Sequence, residues 1–207
     1  MIGFYSYTVI LTYIGLASAI FGMMQALNGQ ILTAVICLMV SGVCDMFDGK
    51  VARTKKNRTD GEKRFGIQID SLCDLVCFGV FPAVIGYAIG IRSFFGMIYL
   101  VVYVLAAVIR LAYFNVMEEQ RQNETDECRK YYQGLPVTTV AIIIPVVFLS
   151  QGFFRGKFIL IYEIVMVVVA FLFILDFRVK KADKKGMIGI ALFGLLIFIR
   201  LLFSGVR

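Results

Sequence analysis

Four aspartates dominate any chemical reading of this 207-residue chain. Asp45 and Asp48 stand three residues apart, and Asp70 and Asp74 stand four apart. On helices both spacings put each pair on one face. Four carboxylates together repel one another. Oxygen ligands gathered this way suit one hard divalent cation, or two. Gly49 and Gly66 lie close in sequence to the two pairs. Without side chains they let a flat base or a phosphate approach the backbone. Arg53, about one helical turn beyond Gly49, carries a fork that suits a phosphate or diphosphate. The plainer alternative has Asp45 cap or end a helix, pairs the other aspartates with Arg53 or loop lysines, and uses the glycines only for helix packing. Cys73 and Cys77 share a face with Asp70 and Asp74 and read as small apolar fillers, with a soft-metal site as the alternative. The sequence has no histidine, so any proton transfer falls to carboxylate, Lys, Tyr or Cys.

The elements that position these residues are apolar. Hydrophobic residues make up 60% of the chain, and its mean hydropathy is +0.85. That composition excludes an ordinary soluble domain. Seven apolar stretches run over 4–27, 31–49, 67–90, 94–115, 135–151, 158–175 and 186–203. A membrane span needs about 20 such residues. The expected fold is an all-α, polytopic transmembrane bundle of six to eight spans, seven being the best count, in a single domain over 1–207. The first stretch lacks a charged leader and a small-residue cleavage site, so it reads as a retained span. The stretch from Glu118 to Lys130 reads as a solvated mixed-charge loop. Glu163 and Arg200, inside late apolar stretches, either pair with each other or lie at an interface, with a functional ion path as the remaining alternative.

Charge gives an orientation. Lys50, Arg53, Lys55, Lys56, Arg58, Lys63 and Arg64 follow the second stretch. Arg121, Arg129 and Lys130 follow the fourth, and Arg178, Lys180, Lys181, Lys184 and Lys185 the sixth. The other side carries Arg92, Arg155, Lys157 and Arg207. By the positive-inside rule the three basic loops, the N-terminus and the four aspartates face the cytoplasm of a cell membrane. The net charge of +7 then reads as topological, with contact to anionic lipid or phosphate as the alternative, and no nucleic-acid partner is expected. The five cysteines (Cys37, Cys44, Cys73, Cys77 and Cys128) form no CxxC pair, which argues against a disulfide framework or structural zinc.

The run Asp45-x-x-Asp48-Gly49-x-x-Ala52-Arg53, a gap, then Gly66-x-x-x-Asp70-x-x-x-Asp74 resembles the signature of the CDP-alcohol phosphatidyltransferase family at all its fixed positions. The gap of twelve residues is longer than the family's usual one. The resemblance implies that Asp45, Asp48 and Asp70 hold two metal ions, magnesium or manganese, with Asp74 near the second ion as general base. It also implies that Gly49, Ala52, Arg53 and Gly66 line the CDP pocket, and that the protein works as a homodimer among membrane lipids.

Three further stretches are similar to the serine-using branch of the family: Ile69 to Ala83, Arg110-Leu111-Ala112-Tyr113-Phe114-Asn115, and Gly134-Leu135-Pro136. They imply CDP-diacylglycerol and L-serine as substrates, with Arg110 and Asn115 as acceptor-binding residues. Arg110 would meet the serine carboxylate, or else reach to the lipid interface. Three departures weaken the match. Tyr113 replaces an arginine, Val137-Thr138-Thr139 follow Pro136, and of an N-terminal Pro-Asn-x-x-Thr only Thr12 remains. Glycerol phosphate or inositol phosphate as acceptor, and a divalent-cation transporter, are the competing readings.

Overall fold

The computed structural model describes residues 3–4, 6–55, 57–124, 131–154, 156–180 and 184–204. Lys56, Cys128, Arg129, Lys130, Arg155, Lys181 and Arg207, used above for topology and cysteine chemistry, lie outside the described residues.

The apolar runs become helices even with Gly15, Gly22 and Gly42 in helix interiors and Pro145 inside one. α1 spans Ile10–Leu27, α2 Ile31–Ala52, α3 Asp60–Asp74, α4 Phe81–Ala88, α5 Phe94–Glu124, α6 Val140–Leu149, α7 Phe158–Ile174 and α8 Lys184–Ser204. A π-helical turn, Leu75–Val80, joins α3 to α4, so that Asp60–Ala88 is one continuous rod. Among the described residues, four helical rods are long and apolar enough to cross a membrane: Tyr7–Leu27, Ile31–Ala52, Asp60–Ala88 and Phe94–Arg121. Three shorter apolar helices follow, at Val137–Gly152, Phe158–Ile174 and Gly189–Phe203. The fold is the all-α membrane bundle that the hydropathy pattern predicts. Its outward surface is rich in large apolar side chains such as Phe94, Phe153, Phe171 and Phe203, as a lipid-facing bundle requires.

α1 and α2 form an antiparallel hairpin turned by Asn28 and Gly29, whose φ of +80° suits glycine. The hairpin is tight because α1 presents Gly15, Ala19, Gly22 and Ala26 as its buried face. Small residues at this spacing let backbones approach closely in a membrane. The Ser41 hydroxyl uses that closeness to donate to the Gly15 carbonyl, 2.8 Å away on the facing helix. A Cβ at Gly22 would collide with the Phe81 ring and stand 2.7 Å from the Cys37 Cβ. Gly22→Leu should therefore destabilise the bundle by about 1–3 kcal/mol or more, read as a lower thermal unfolding midpoint in detergent.

Two expectations change, and one alternative closes. α3 begins at Asp60, well before the apolar stretch, because Thr59 and Glu62 form a capping box: the Glu62 N–H donates to Thr59 Oγ1 at 3.2 Å, and the Thr59 N–H to Glu62 Oε2 at 3.0 Å. Residues 118–124 are not a loop but the last turns of α5, where Arg121 pairs with Glu118 at 2.6 Å and Arg64 of α3 with Glu119 at 3.0 Å. Glu163 sets its carboxylate beside Gly96 and Ser93 at the start of α5, with no ion pair to Arg200 among the described residues. The chain also builds a small ladder that apolar periodicity does not announce. Tyr131–Gln133 pairs antiparallel with Arg178–Lys180, Gln133 opposite Arg178. It ties the segment after α5 to the segment after α7.

Candidate active site

Asp45 and Asp48 lie in the last two turns of α2, and Asp70 and Asp74 in the last two turns of α3. Each pair occupies one helix face, and the two faces meet. One oxygen each from Asp45, Asp70 and Asp74 lie within 4.8 Å of one another. Asp45 stands at hydrogen-bonding range of Asp74, and Asp48 of Asp70. The aspartates thus converge as the sequence expects. Asp48 is the most enclosed, 8% exposed, and the Thr12 hydroxyl of α1 donates to its Oδ2 at 3.2 Å. A small cleft beside them is lined by Thr12, Gly15, Ser41, Cys44, Cys73 and Phe78 as well as by Asp45, Asp48 and Asp74. Cys44, Cys73 and Cys77 are buried apolar neighbours, in keeping with a filling role.

The donor set fits a hard divalent ion. Metal–oxygen bonds of about 2.0–2.6 Å put ligand oxygens of one ion within about 3–5 Å of each other, the span that Asp45, Asp70 and Asp74 show. Without a cation, close carboxylates in an apolar bundle are unfavourable.

The flanking motif residues sit at the open end of the pair. A Cβ at Gly49 would meet only Arg53 Nη2, at 4.0 Å, so its face is open. Arg53 follows α2 and is exposed, while Ala52 closes the helix and is half-buried. Gly66 is covered instead. Arg58, in the linker between α2 and α3, lays its guanidinium over it, and a Cβ there would stand 2.6 Å from Arg58 Nη2. Arg58 also donates to the Glu62 carbonyl at 3.2 Å.

The two acceptor candidates part company. They are five residues apart on α5, about 140° around the helix. Asn115 faces α3, where the buried Ser71 hydroxyl donates to its Oδ1 at 2.5 Å, one residue from Asp70. Arg110 faces the ladder, its Nη1 donating to the Gln133 carbonyl at 2.5 Å. Tyr113, standing where the serine-using pattern has arginine, donates to Gln133 Oε1 at 3.2 Å. Gly134 follows with a φ of +66°, and any Cβ there would strike Arg110 Nη1 and the Leu175 carbonyl. Sequence reasoning misses Ser71 and the role of Thr12, which only the packing of α3 on α5 and of α1 on α2 reveals.

Residues 7–175 match the family model described as CDP-alcohol phosphatidyltransferase. The chain belongs to the CDP-alcohol phosphatidyltransferase family. All the motif positions named above fall inside the matched region. Among curated relatives it is 42% identical, over 106 residues, to a CDP-diacylglycerol–serine O-phosphatidyltransferase of Saccharomyces cerevisiae, covering 50% of this chain and 37% of that protein. It is 28% identical over 178 residues to an archaetidylserine synthase of Methanothermobacter thermautotrophicus, covering 86% of this chain and 70% of the relative. It is 34% identical over 134 residues to a CDP-diacylglycerol–serine O-phosphatidyltransferase of Helicobacter pylori, covering 62% and 52%. The chain thus spans little more than a third of the yeast protein and about half of the Helicobacter one.

Proposed function

We propose that this family member transfers a phosphatidyl group from CDP-diacylglycerol to L-serine, releasing CMP, on a divalent-metal centre formed by Asp45, Asp48, Asp70 and Asp74. The observation that carries this is the meeting of Asp45, Asp70 and Asp74 oxygens within 4.8 Å where α2 and α3 adjoin. Serine as acceptor is supported by the names of the yeast, Helicobacter and Methanothermobacter relatives.

In this reading the motif residues divide the work. Gly49, with its open face, lets the nucleotide lie against α2, and Arg53 offers its fork to the diphosphate. Ala52 and Gly66 complete the pocket, which requires Arg58 to leave the face of Gly66. Two bound ions, magnesium or manganese, supply electrophilic assistance at the diphosphate and neutralise charge on the departing CMP. Asp74 takes the proton from the serine hydroxyl, whose oxygen bonds to phosphorus as the bond to CMP breaks. No covalent enzyme intermediate is needed.

The excess of basic residues in the loops beside them supports a cytoplasmic side for the aspartates and the N-terminus. Residues 1–207 act as one catalytic domain, and two copies form the working dimer. The cation-transporter reading loses support from the family match.

Purified protein given CDP-diacylglycerol, serine and magnesium or manganese should release CMP, and EDTA should stop it. Release with glycerol phosphate or inositol phosphate but not with serine overturns the acceptor; no release with any alcohol overturns the activity. Arg110→Ala should raise KM for serine about tenfold or more, as loss of a charge-assisted contact does, and KM for the lipid much less. Equal changes in both would assign Arg110 only to holding the Gln133 carbonyl and the ladder.

A further inference from the structure

The rod that carries Asp70 and Asp74 is not a plain α-helix, and its irregular turn begins at the residue after Asp74. In Leu75–Val80 the ladder is π-helical, and the Phe81 N–H returns five residues to the Val76 carbonyl. Residue 82 is proline and has no N–H to give. The carbonyl that it would serve in an α-helix, four residues back, is that of Phe78. This carbonyl instead accepts from the Tyr103 hydroxyl of α5, at 2.6 Å. Nearby, the Pro82 carbonyl accepts from the Tyr162 hydroxyl of α7, at 2.8 Å. Tyr103 is 0% exposed and Tyr162 1%. A tyrosine fully enclosed in an apolar bundle needs a partner for its hydroxyl, and a backbone carbonyl freed there needs a donor. Tyr103 and the Phe78 carbonyl meet each other's need. The fit is close: a Cβ at Gly79 would stand 3.2 Å from the Ala107 Cβ of α5.

The turn sets the phase of the rod. Asp74 and Ile85, eleven residues apart, would lie about 20° apart around an unbroken α-helix. One π turn adds about one residue, rotating the two halves by about 100° and separating these positions by about 80°. The lower half must turn Phe81 and Ile85 into the core, where they are 0% and 1% exposed. The upper half must turn Asp70 and Asp74 toward Asp45. Both demands are met with the inserted turn in place.

We propose that Tyr103 is a positioning residue for the acidic centre: its hydrogen bond to the Phe78 carbonyl holds the π turn that keeps Asp74 in register with Asp45. This rests on the metal-site reading above. It is tested on the full chain in detergent, by titrating Mn2+ and following its EPR signal, alongside thermal unfolding. Tyr103→Phe should weaken Mn2+ binding about tenfold, the worth of one well-placed hydrogen bond, and lower the unfolding midpoint. Pro82→Ala restores an N–H that can serve the Phe78 carbonyl and favours the α register. It should therefore leave the unfolding midpoint unchanged or higher, yet weaken Mn2+ binding to a similar degree. Combining the two should recover the midpoint lost in Tyr103→Phe without recovering Mn2+ affinity. A merely structural tyrosine predicts the opposite, with midpoint and affinity recovering together. Parent-like Mn2+ affinity in Tyr103→Phe, or joint recovery in the double variant, overturns the proposal alone. Should Tyr103→Phe fail to fold, the double variant, whose restored N–H serves the Phe78 carbonyl, still decides. Absence of Mn2+ binding by the parent protein overturns the metal reading, and this proposal with it.

Discussion

Asp74→Asn should lower turnover about a thousandfold while nucleotide binding changes little. The substitution keeps the size of the side chain and most of its hydrogen bonding. It removes the charge and the ability to accept a proton. General-base catalysis typically contributes 10²–10⁴-fold, and a thousandfold is about 4 kcal/mol of transition-state stabilisation. Asp74 is one of three carboxylates whose oxygens crowd within 4.8 Å, so its loss also relieves repulsion in the metal-free protein. The variant should unfold at a temperature no lower than the parent without metal, and gain less from added Mn2+, because a ligand stabilises only as far as it binds the native state. Turnover is read as CMP release and nucleotide binding as CMP affinity. Parent-like turnover would remove Asp74 from the chemistry, whereas equal loss of turnover and CMP binding would assign it to the pocket.

What the sequence reveals and what it hides divides along physical lines. The four aspartates are legible because they interrupt two apolar runs at helical spacing, and both features are local. The meeting of α2 and α3 follows from the short linker between them. The start of α3 was also legible in principle, since Thr59 and Glu62 have capping-box spacing, but the basic residues around them read as loop. Residues 118–124 misled for a similar reason. They are strongly polar, yet Glu, Gln and Arg favour helix, and the pair to Arg64 comes from another element. Thr12 could not be connected to Asp48 from sequence, because their contact depends on how closely the small face of α1 lets α2 approach. Arg110 and Asn115 look like one motif in a line of letters, and only the helix separates their faces. The Tyr131–Gln133 ladder is three residues long, too short for alternation to register.

Asp70→Ala should cost more metal than Asp48→Ala, and the contrast tests how the four carboxylates share the ions. Asp70 belongs to both groupings in the site: its oxygen lies with those of Asp45 and Asp74, and its carboxylate also stands beside Asp48. Asp48 stands to one side, with Thr12 donating to it. If two ions share Asp70, its removal takes ligands from both, and Mn2+ binding should fall to background with turnover down a thousandfold or more, roughly the several kcal/mol that metal assistance provides. Asp48→Ala should leave about one Mn2+ per chain where the parent binds two. Thr12→Val, which removes only the donor that orients Asp48, should weaken binding about tenfold to a hundredfold, the usual cost of losing a residue that holds a ligand in place. Thermal unfolding without metal separates loss of ligand from loss of fold: deleting one of several crowded carboxylates should not lower the midpoint. A lower midpoint together with lost Mn2+ would show that Asp70 holds α3 in place rather than an ion. One Mn2+ per chain in both Asp48→Ala and the parent would leave a single ion held by Asp45, Asp70 and Asp74, and would put Asp48 to work as a helix contact with α1.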